Sequence, residues 1–241
     1  MFGLKTFAFY QLGVGRRIPT VDPLALLSEK ENQTVLIQSG LKTIGGVSLQ
    51  EEMFLLSLAI DMKCKTVFEL GTCTGLTTYN LALNVQGTVY TLDLPASVGQ
   101  TVLPVGNADR SFMGIDAEAK YWIGRPHADR IIQLHGDSAA FDFVPYHGRI
   151  DFVFVDGAHS YPYVWKDSHS ALAMVREGGA IVWHDYAPCW PGVVQALNKL
   201  STKVPLVHLR GTSLVIYKRQ SAAAYEEVPH AMSSVFGDGI N

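Results

Sequence analysis

Short apolar segments alternate with segments of helical periodicity through the middle of the chain, and this alternation constrains the fold more than any other feature. The predicted strands are residues 66–70, 88–92, 130–134, 150–155 and 180–183. The predicted helices between and after them are residues 76–85, 163–175 and 193–200, with Gly178 and Gly179 ending the second. Because strands that alternate with helices form βαβ units, the pattern predicts an α/β fold with a mostly parallel sheet.

Both ends of this alternating region carry further structure. Residues 206–209 and 213–217 are two late strands joined by a turn at Gly211, which predicts an antiparallel hairpin at one edge of the sheet. Ser48 and Glu51 form a capping box that begins a helix. We therefore predict a doubly wound, mostly parallel sheet of seven strands with an N-terminal helical cap. The predicted divisions are a cap or arm at 1–47, a main domain at 48–220 with an insert at 94–128, and a tail at 221–241.

The composition limits the class of protein. Hydrophobic residues make up 48% and charged residues 17% of the 241 residues, which supports a core and argues against a disordered chain. The net charge of −3 offers no basic excess for a nucleic acid. No apolar run reaches the roughly 18 residues of a membrane span, and three cysteines without a CxxC pair favour reduced thiols in the cytoplasm. The apolar residues 1–10 would suit the interface of a homodimer.

Ligands of open α/β sheets bind beyond the carboxyl ends of the strands, where this sequence places glycines and carboxylates. Glu69-Leu-Gly71-Thr72-Cys-Thr-Gly75 joins the first predicted strand to a helix, and its glycines let the backbone pass close to a ligand. Asp93 ends the second strand, where a carboxylate can accept hydrogen bonds from both ribose hydroxyls of a nucleoside. Nicotinamide cofactors are held by the same device, so Asp93 indicates a nucleoside without fixing the chemistry.

Polar blocks also follow the third, fourth and fifth strands. They are His135-Gly136-Asp137-Ser138, Asp156-Gly-Ala-His159-Ser-Tyr161 and His184-Asp185-Tyr186. Together with the glycine turn, these blocks resemble the class I, Rossmann-like methyltransferases of small molecules that carry a D-G-x-H-x-Y block and a G-G-x-x-x-x-H-D-Y block. The resemblance covers roughly residues 45 to 200 and implies S-adenosyl-L-methionine (SAM) as the methyl donor.

The resemblance also implies which residues bind the donor. Asp137 or Ser138 would bond the adenine amino group, and Asp93 would bond the ribose. The full implied set is Glu69, Gly71, Thr72, Gly75, Asp93, Leu94, Asp137, Ser138 and Asp156. The insert at 94–128 would cover the small-molecule acceptor, because inserts of that length in a compact domain are usually functional.

The layout is similar to that of catechol-type O-methyltransferases, which hold a magnesium ion at these strand ends. That similarity implies Asp156, His184 and Asp185 as metal ligands. It places His159 at the position of the general base, with Asp156 and His184 beside it as further catalytic groups. Because His184 is a nitrogen ligand and Mg²⁺ prefers oxygen, Mn²⁺, Fe²⁺ and Zn²⁺ are alternatives. A further alternative is that no metal binds and that His159 or His184 acts alone as the base.

The expected function is therefore SAM-dependent O-methylation of a small-molecule hydroxyl. Sugar hydroxyls, phenols, carboxylates and nitrogen atoms stay open as acceptors, because the fold does not decide among them. Two other classes of function also stay open: another enzyme on the same fold, hydroxylase-like or a nicotinamide oxidoreductase, and a non-catalytic nucleoside-binding module. The glycine turn lacks the third glycine position of the dinucleotide fingerprint, which argues against a nicotinamide cofactor.

Overall fold

One mixed sheet with helices on both faces organises the described part of the chain. The structure is a computed structural model and describes residues 15–28, 33–38, 46–95, 100–113 and 120–220. The strands are β1 (Thr20–Val21), β2 (Thr66–Leu70), β3 (Thr88–Asp93), β4 (Ile131–His135), β5 (Ile150–Val155), β6 (Val175–Trp183), β7 (Val207–Leu209) and β8 (Val215–Lys218). The α-helices of these residues are α1 (Leu49–Asp61), α2 (Leu76–Asn84), α3 (Asn107–Arg110), α4 (Tyr161–Met174) and α5 (Pro191–Leu200).

The sheet has eight strands in the order β1-β7-β8-β6-β5-β2-β3-β4. The strands from β6 to β4 pair in parallel, whereas β8 runs antiparallel to both β6 and β7. This arrangement confirms the predicted Rossmann-like sheet with its antiparallel hairpin. The prediction of seven strands misses β1, which pairs in parallel with β7 and forms the edge beyond the hairpin. Two residues are too few to produce a periodic pattern in a sequence.

The second predicted helix ends earlier than its glycine pair suggests. Val175 follows α4 with extended backbone, at φ −63° and ψ 129°. β6 begins at the same residue and runs through both glycines, so the prediction that Gly178 and Gly179 end the helix is wrong. Gly178 has a φ of +73°, and a Cβ on Gly179 would lie 2.8 Å from the Asp151 carbonyl oxygen. The glycines instead permit the irregular first part of β6, where its register against β5 shifts.

The central strand β5 is buried along its whole length. Its residues alternate between the two faces of the sheet. Val153 packs with the core under α4 and α5, and Phe154 packs with the core that includes α1 and α2. Since helices cover both faces, a ligand can reach the central strands only at their ends. The carboxyl ends of β2, β3, β5 and β6 lie side by side because these strands are parallel neighbours.

The predicted N-terminal cap and insert are described only in part, and the predicted tail is not described. Residues 15–28 hold β1 and a 3₁₀ turn at Pro23–Leu26. The apolar arm at 1–10, the insert residues 96–99 and 114–119, and the tail at 221–241 lie outside the described residues. Within the described ranges, none of the helices combines the length and apolar character that crossing a membrane requires.

Candidate active site

A cavity of about 360 Å³ opens beyond the carboxyl ends of the parallel strands. Residues that end the strands supply most of its polar wall, and the insert and the start of α5 supply much of its apolar wall. The polar residues include Asp93, Asp137, Asp156, His184 and Asp185. The apolar residues include Val105, Phe112, Met113 and Trp190. The fold therefore brings to one cavity all three implied metal positions and six of the nine implied donor positions; Glu69, Thr72 and Gly75 do not line it.

Gly71 lines this cavity where β2 leaves the sheet. Its φ is +99°, and a Cβ on it would lie 2.1 Å from the carbonyl oxygen of Asp156, at the end of neighbouring β5. Gly75 has a φ of +79° at the N-cap of α2, where a Cβ would meet the ring of Trp122 at 2.2 Å. Both positions require glycine, but only Gly71 borders the cavity, whereas Gly75 lies under the insert.

Glu69 and Thr72 lie behind the glycine turn and away from the large cavity. The Glu69 side chain is buried, and its carboxyl accepts hydrogen bonds from the hydroxyls of Thr78 in α2 and Thr91 in β3. The Thr72 hydroxyl lies 2.7 Å from that of Thr91. Burial raises the pKa of Glu69 to about 8, although both threonine hydrogen bonds lower it. These contacts hold the glycine turn against β3 and α2. Glu69 and Thr72 therefore support the turn but do not line the large cavity.

Asp93 reaches the cavity with its carboxylate already oriented by two donors. The backbone N–H of Leu94 donates to Oδ1 at 3.1 Å, and the Lys120 ammonium donates to Oδ2 at 2.9 Å. Lys120 also donates to the carbonyl of Cys73 in the glycine turn. The lysine side chain is 3% exposed and that of Asp93 is 25% exposed, so the carboxylate keeps an open face. No sequence motif indicates Lys120, because it is an isolated lysine near the end of the insert.

Asp137 borders the cavity at the end of β4, but the protein itself satisfies its carboxylate. Oδ1 accepts from the Ala139 N–H at 2.9 Å. Oδ2 accepts from the Val102 N–H at 2.7 Å and from the Tyr163 hydroxyl at 2.6 Å. Burial, together with this bond to Asp137, raises the pKa of Tyr163 to about 12. Asp137 thus fastens the insert to β4 and α4.

Asp156, His184 and Asp185 meet where β5 and β6 end. The ligand-type atoms of the three residues all lie within 4.8 Å of one another. His184 Nδ1 is 3.0 Å from Asp156 Oδ1 and 3.3 Å from Asp185 Oδ2. Asp185 has a φ of +60°, an uncommon backbone conformation that turns its carboxylate back towards the cluster. The strand ends therefore present two carboxylates and one imidazole nitrogen to a common point.

This donor set fits a divalent cation. Two ligands at right angles around a metal with bonds of 2.1 Å lie about 3.0 Å apart, which is close to both histidine–carboxylate distances. A metal-bound histidine usually gives its other N–H to a carboxylate. Here His184 Nε2 lies 3.4 Å from Glu51 Oε2, and Glu51 is held in turn by the Ser213 backbone N–H at 2.7 Å. Burial opposes the charge on Glu51, but its bonds to His184 and Ser213 hold its pKa well below the usual range.

His159 is held on three sides at the edge of the same cluster. Its Nε2 lies 2.7 Å from Asp185 Oδ2, and its Nδ1 lies 2.6 Å from Asp109 Oδ1. Its ring stacks on Trp190 with the ring centres 3.7 Å apart. Burial lowers the pKa of His159, but the hydrogen bonds with Asp109 and Asp185 outweigh burial and raise it to about 9. The ring is therefore fixed in place between two carboxylates.

Three residues of the candidate site belong to no sequence motif that indicates binding or catalysis. Asp109 comes from α3 in the insert, where its Oδ1 also accepts from the His159 backbone N–H at 3.1 Å. Glu51 is visible in the sequence only as part of a capping box, which it does form. Lys120, like Asp109, comes from the insert and belongs to no motif. Tertiary contacts alone bring these residues to the site.

Comparisons with known proteins agree with the fold and with the resemblance to methyltransferases. The sequence matches a family described as a methyltransferase domain over residues 68–186. A comparison with curated proteins finds no significant match.

Many solved structures share the fold, among them three methyltransferases. The O-methyltransferase TomG from Streptomyces achromogenes, in complex with SAM, is 19% identical, with a TM-score of 0.52 over 73% of this chain and 82% of that one. An O-methyltransferase from Bacillus cereus, in complex with S-adenosylhomocysteine (SAH), is 17% identical, with a TM-score of 0.51 over 73% and 84%. The SAH-bound methyltransferase PaMTH1 from Podospora anserina is 19% identical, with a TM-score of 0.52 over 73% and 80%.

The matched segment runs from β2 to the residue after Asp185, so it contains the glycine turn, Asp93 and the proposed metal positions. The sheet order and the solved structures agree with that match at the level of the fold. The described part of the chain therefore has the Rossmann-like fold of class I methyltransferases.

Proposed function

We propose that this protein transfers a methyl group from SAM to a hydroxyl of a small molecule, with the help of a divalent cation. The observation that carries the proposal is the single cavity bordered both by Gly71 and Asp93 and by the Asp156–His184–Asp185 cluster. A nucleoside donor held at the first pair would lie beside an acceptor held at the cluster. Two similar solved structures add support, because they are O-methyltransferases in complex with SAM or SAH.

The donor half of the site supplies position and charge. Asp93 accepts from the ribose hydroxyls, while Lys120 and Leu94 keep its carboxylate in place. Gly71 lets the backbone approach the ligand, and Glu69 supports the turn from behind. Holding donor and acceptor in line is the main task in methyl transfer, because the sulfonium already carries a good leaving group.

The acceptor half would hold the cation at Asp156, His184 and Asp185. When bound there, a divalent cation would lower the pKa of an acceptor hydroxyl and thereby help to free its lone pair. The imidazole ligand favours Mn²⁺, Fe²⁺ or Zn²⁺ beside Mg²⁺. His159 keeps the Asp185 carboxylate in position through its Nε2 bond. The role of His159 as the general base stays a prediction.

The lining of the cavity bears on the acceptor. Among the described residues that line it there is no lysine or arginine, and much of the outer wall is apolar. Such a wall favours a flat, uncharged acceptor over a phosphorylated one, because phosphate is usually held by basic side chains or helix N-termini. We therefore propose an uncharged hydroxylated compound as the acceptor.

Isothermal titration tests the proposal. The wild-type protein is titrated with SAM, SAH and NAD, each with and without Mn²⁺ or Mg²⁺. We expect SAM and SAH to bind and NAD not to bind. Asp93→Asn should weaken SAH binding at least about tenfold, since it removes a charged acceptor of two hydrogen bonds. Asp129→Asn, at an exposed position, is the matched control.

The metal arm of the test uses Asp185→Asn. This variant should weaken Mn²⁺ binding and leave SAH binding close to that of the wild type. Absence of SAM and SAH binding to the wild type would overturn the donor assignment. Binding of the donor with no measurable affinity for either cation would leave the methyltransferase proposal standing and remove its metal.

Two further properties belong to the proposal. None of the three cysteines, all of which the structure describes, forms a disulfide; this supports a reducing compartment, and we propose the cytoplasm. The apolar residues 1–10 support a homodimer, which light scattering of the purified protein would test.

A further inference from the structure

Asp167 is a buried carboxylate that the proposed function leaves unused. It lies in α4, its exposure is 1%, and it borders the cavity. Its Oδ1 has no hydrogen-bond partner among the described residues. A buried carboxylate oxygen without a donor is costly, so native proteins usually provide one. The position on the cavity wall indicates that the donor comes from a ligand.

The neighbours of Asp167 show which part of the ligand would meet it. The Ser138 hydroxyl hydrogen bonds to its carboxyl, and Ser138 follows the end of β4. A Cβ on Gly157 would lie 3.6 Å from its Oδ2, which places the carboxylate against the loop after β5. Asp93, at the end of β3, pairs in register with His135 at the end of β4. A nucleoside whose ribose is held by Asp93 would therefore extend its base towards Ser138 and Asp167.

Asp137 is the obvious competitor for the base, because it lies beside Ser138 in the sequence and also borders the cavity. Its two oxygens already accept three hydrogen bonds, from the Ala139 N–H, the Val102 N–H and the Tyr163 hydroxyl. The Asp167 carboxyl, in contrast, accepts a hydrogen bond from one protein donor, the Ser138 hydroxyl, and its Oδ1 accepts none from the described residues. Burial, with a smaller contribution from the charge of Asp137, raises the pKa of Asp167 to about 7.

We propose that Asp167 accepts a hydrogen bond from the exocyclic amino group of the donor's adenine and so selects adenosine over inosine nucleosides. This inference rests on the proposed function, because it needs the donor nucleoside in the cavity. Adenine offers an N–H donor at its 6-position, whereas hypoxanthine offers a carbonyl oxygen there. Above its pKa of about 7, the Asp167 carboxylate can only accept a hydrogen bond, so it rejects a ligand that presents an acceptor at this place.

The test compares two ligands on three proteins by isothermal titration. The ligands, titrated at pH 8 so that Asp167 is mostly ionised, are SAH and its deaminated analogue S-inosylhomocysteine, in which a carbonyl replaces the 6-amino group and N1 carries a proton. The proteins are the wild type, Asp167→Asn and Asp137→Asn. We expect the wild type to prefer SAH by at least about a hundredfold, as hydrogen-bonding pockets do.

Asp167→Asn keeps the size of the side chain and can donate to the inosine carbonyl, so its preference should fall at least about tenfold. Asp137→Asn should leave the preference unchanged, although the loss of its loop bonds lowers the melting temperature. Asp167→Ala is the second variant if the asparagine protein does not fold, and its preference should fall by a similar factor.

The outcomes separate the two proposals. A wild type that binds neither ligand refutes the proposed function. A wild type that prefers SAH, with a preference unchanged in Asp167→Asn or Asp167→Ala, overturns the role of Asp167. If Asp137→Asn alone loses the preference, the adenine contact belongs to Asp137.

Discussion

Replacing Glu69 with glutamine should change how the stability of this protein depends on pH. Its carboxyl is buried, and its pKa is raised from 4.5 to about 8. Between these two values the folded protein keeps the Glu69 proton while the unfolded chain has lost it. The folded state therefore binds more protons, and the stability due to this group falls as pH rises. Within that pH range, each unit of pH lowers the free energy of unfolding by at most about 1.4 kcal/mol.

The glutamine variant retains the shape of the side chain and removes the ionisation. Its amide oxygen can accept from the Thr78 and Thr91 hydroxyls, as the carboxyl does. The amide nitrogen can face the small cavity that Glu69 borders. Between pH 5 and pH 7 the free energy of unfolding of the variant should rise by up to about 3 kcal/mol relative to that of the wild type. The reason is that only the wild type has a group whose ionisation favours the unfolded state in this range.

Urea unfolding at pH 5, 6, 7 and 8 measures this difference for both proteins. Taking the difference cancels the titration of all other groups that the substitution leaves alone. A constant difference across the four pH values would refute the reasoning, because it would mean that Glu69 has the same pKa in the folded and unfolded states. A difference that grows in favour of the wild type would show that the sign of the shift is wrong.

Three further substitutions test other parts of the site. Gly71→Ala should cost about 3 kcal/mol, because it places a Cβ against the Asp156 carbonyl at an unfavourable φ, and thermal melting checks the loss. An unchanged melting temperature would contradict it. Lys120→Met should weaken SAH binding about tenfold in calorimetry while Mn²⁺ binding persists, because the ammonium orients Asp93. Equal loss of both ligands would point to misfolding instead. Ser48→Ala should lower the free energy of unfolding by about 1 kcal/mol through loss of the helix cap, as urea denaturation would show.

The sheet was predictable because its central strands are long enough to show a pattern. The segment Ile150–Val155 is apolar except for Asp151, as expected of a strand buried on both faces, and the structure buries every residue of it. The sequence wrongly predicts that Gly178 and Gly179 end a helix, because a glycine pair is compatible both with the end of a helix and with an irregular strand. Only the pairing with β5 decides between the two, and pairing is not a local property of the sequence.

The position of the candidate site was predictable to the extent that its residues end strands. Asp93, Asp156, His184 and Asp185 stand directly after apolar segments, and parallel strands bring their carboxyl ends together. Residues that arrive from other elements carry no such signal. Asp109 and Asp167 illustrate this, because one comes from a four-residue helix in the insert and the other reads as an ordinary polar position on a helix.

The bond between Asp109 and His159 bears on how this enzyme could be re-engineered. Exchange of the insert for that of a related enzyme is the natural way to alter acceptor choice, because Val105, Phe112 and Met113 line the cavity from there. The same exchange would remove the carboxylate that grips both the backbone and the ring of His159. A grafted insert would therefore need an aspartate at the matching place. Under the proposed function, a change of the insert would therefore alter the acceptor pocket and the position of His159 together.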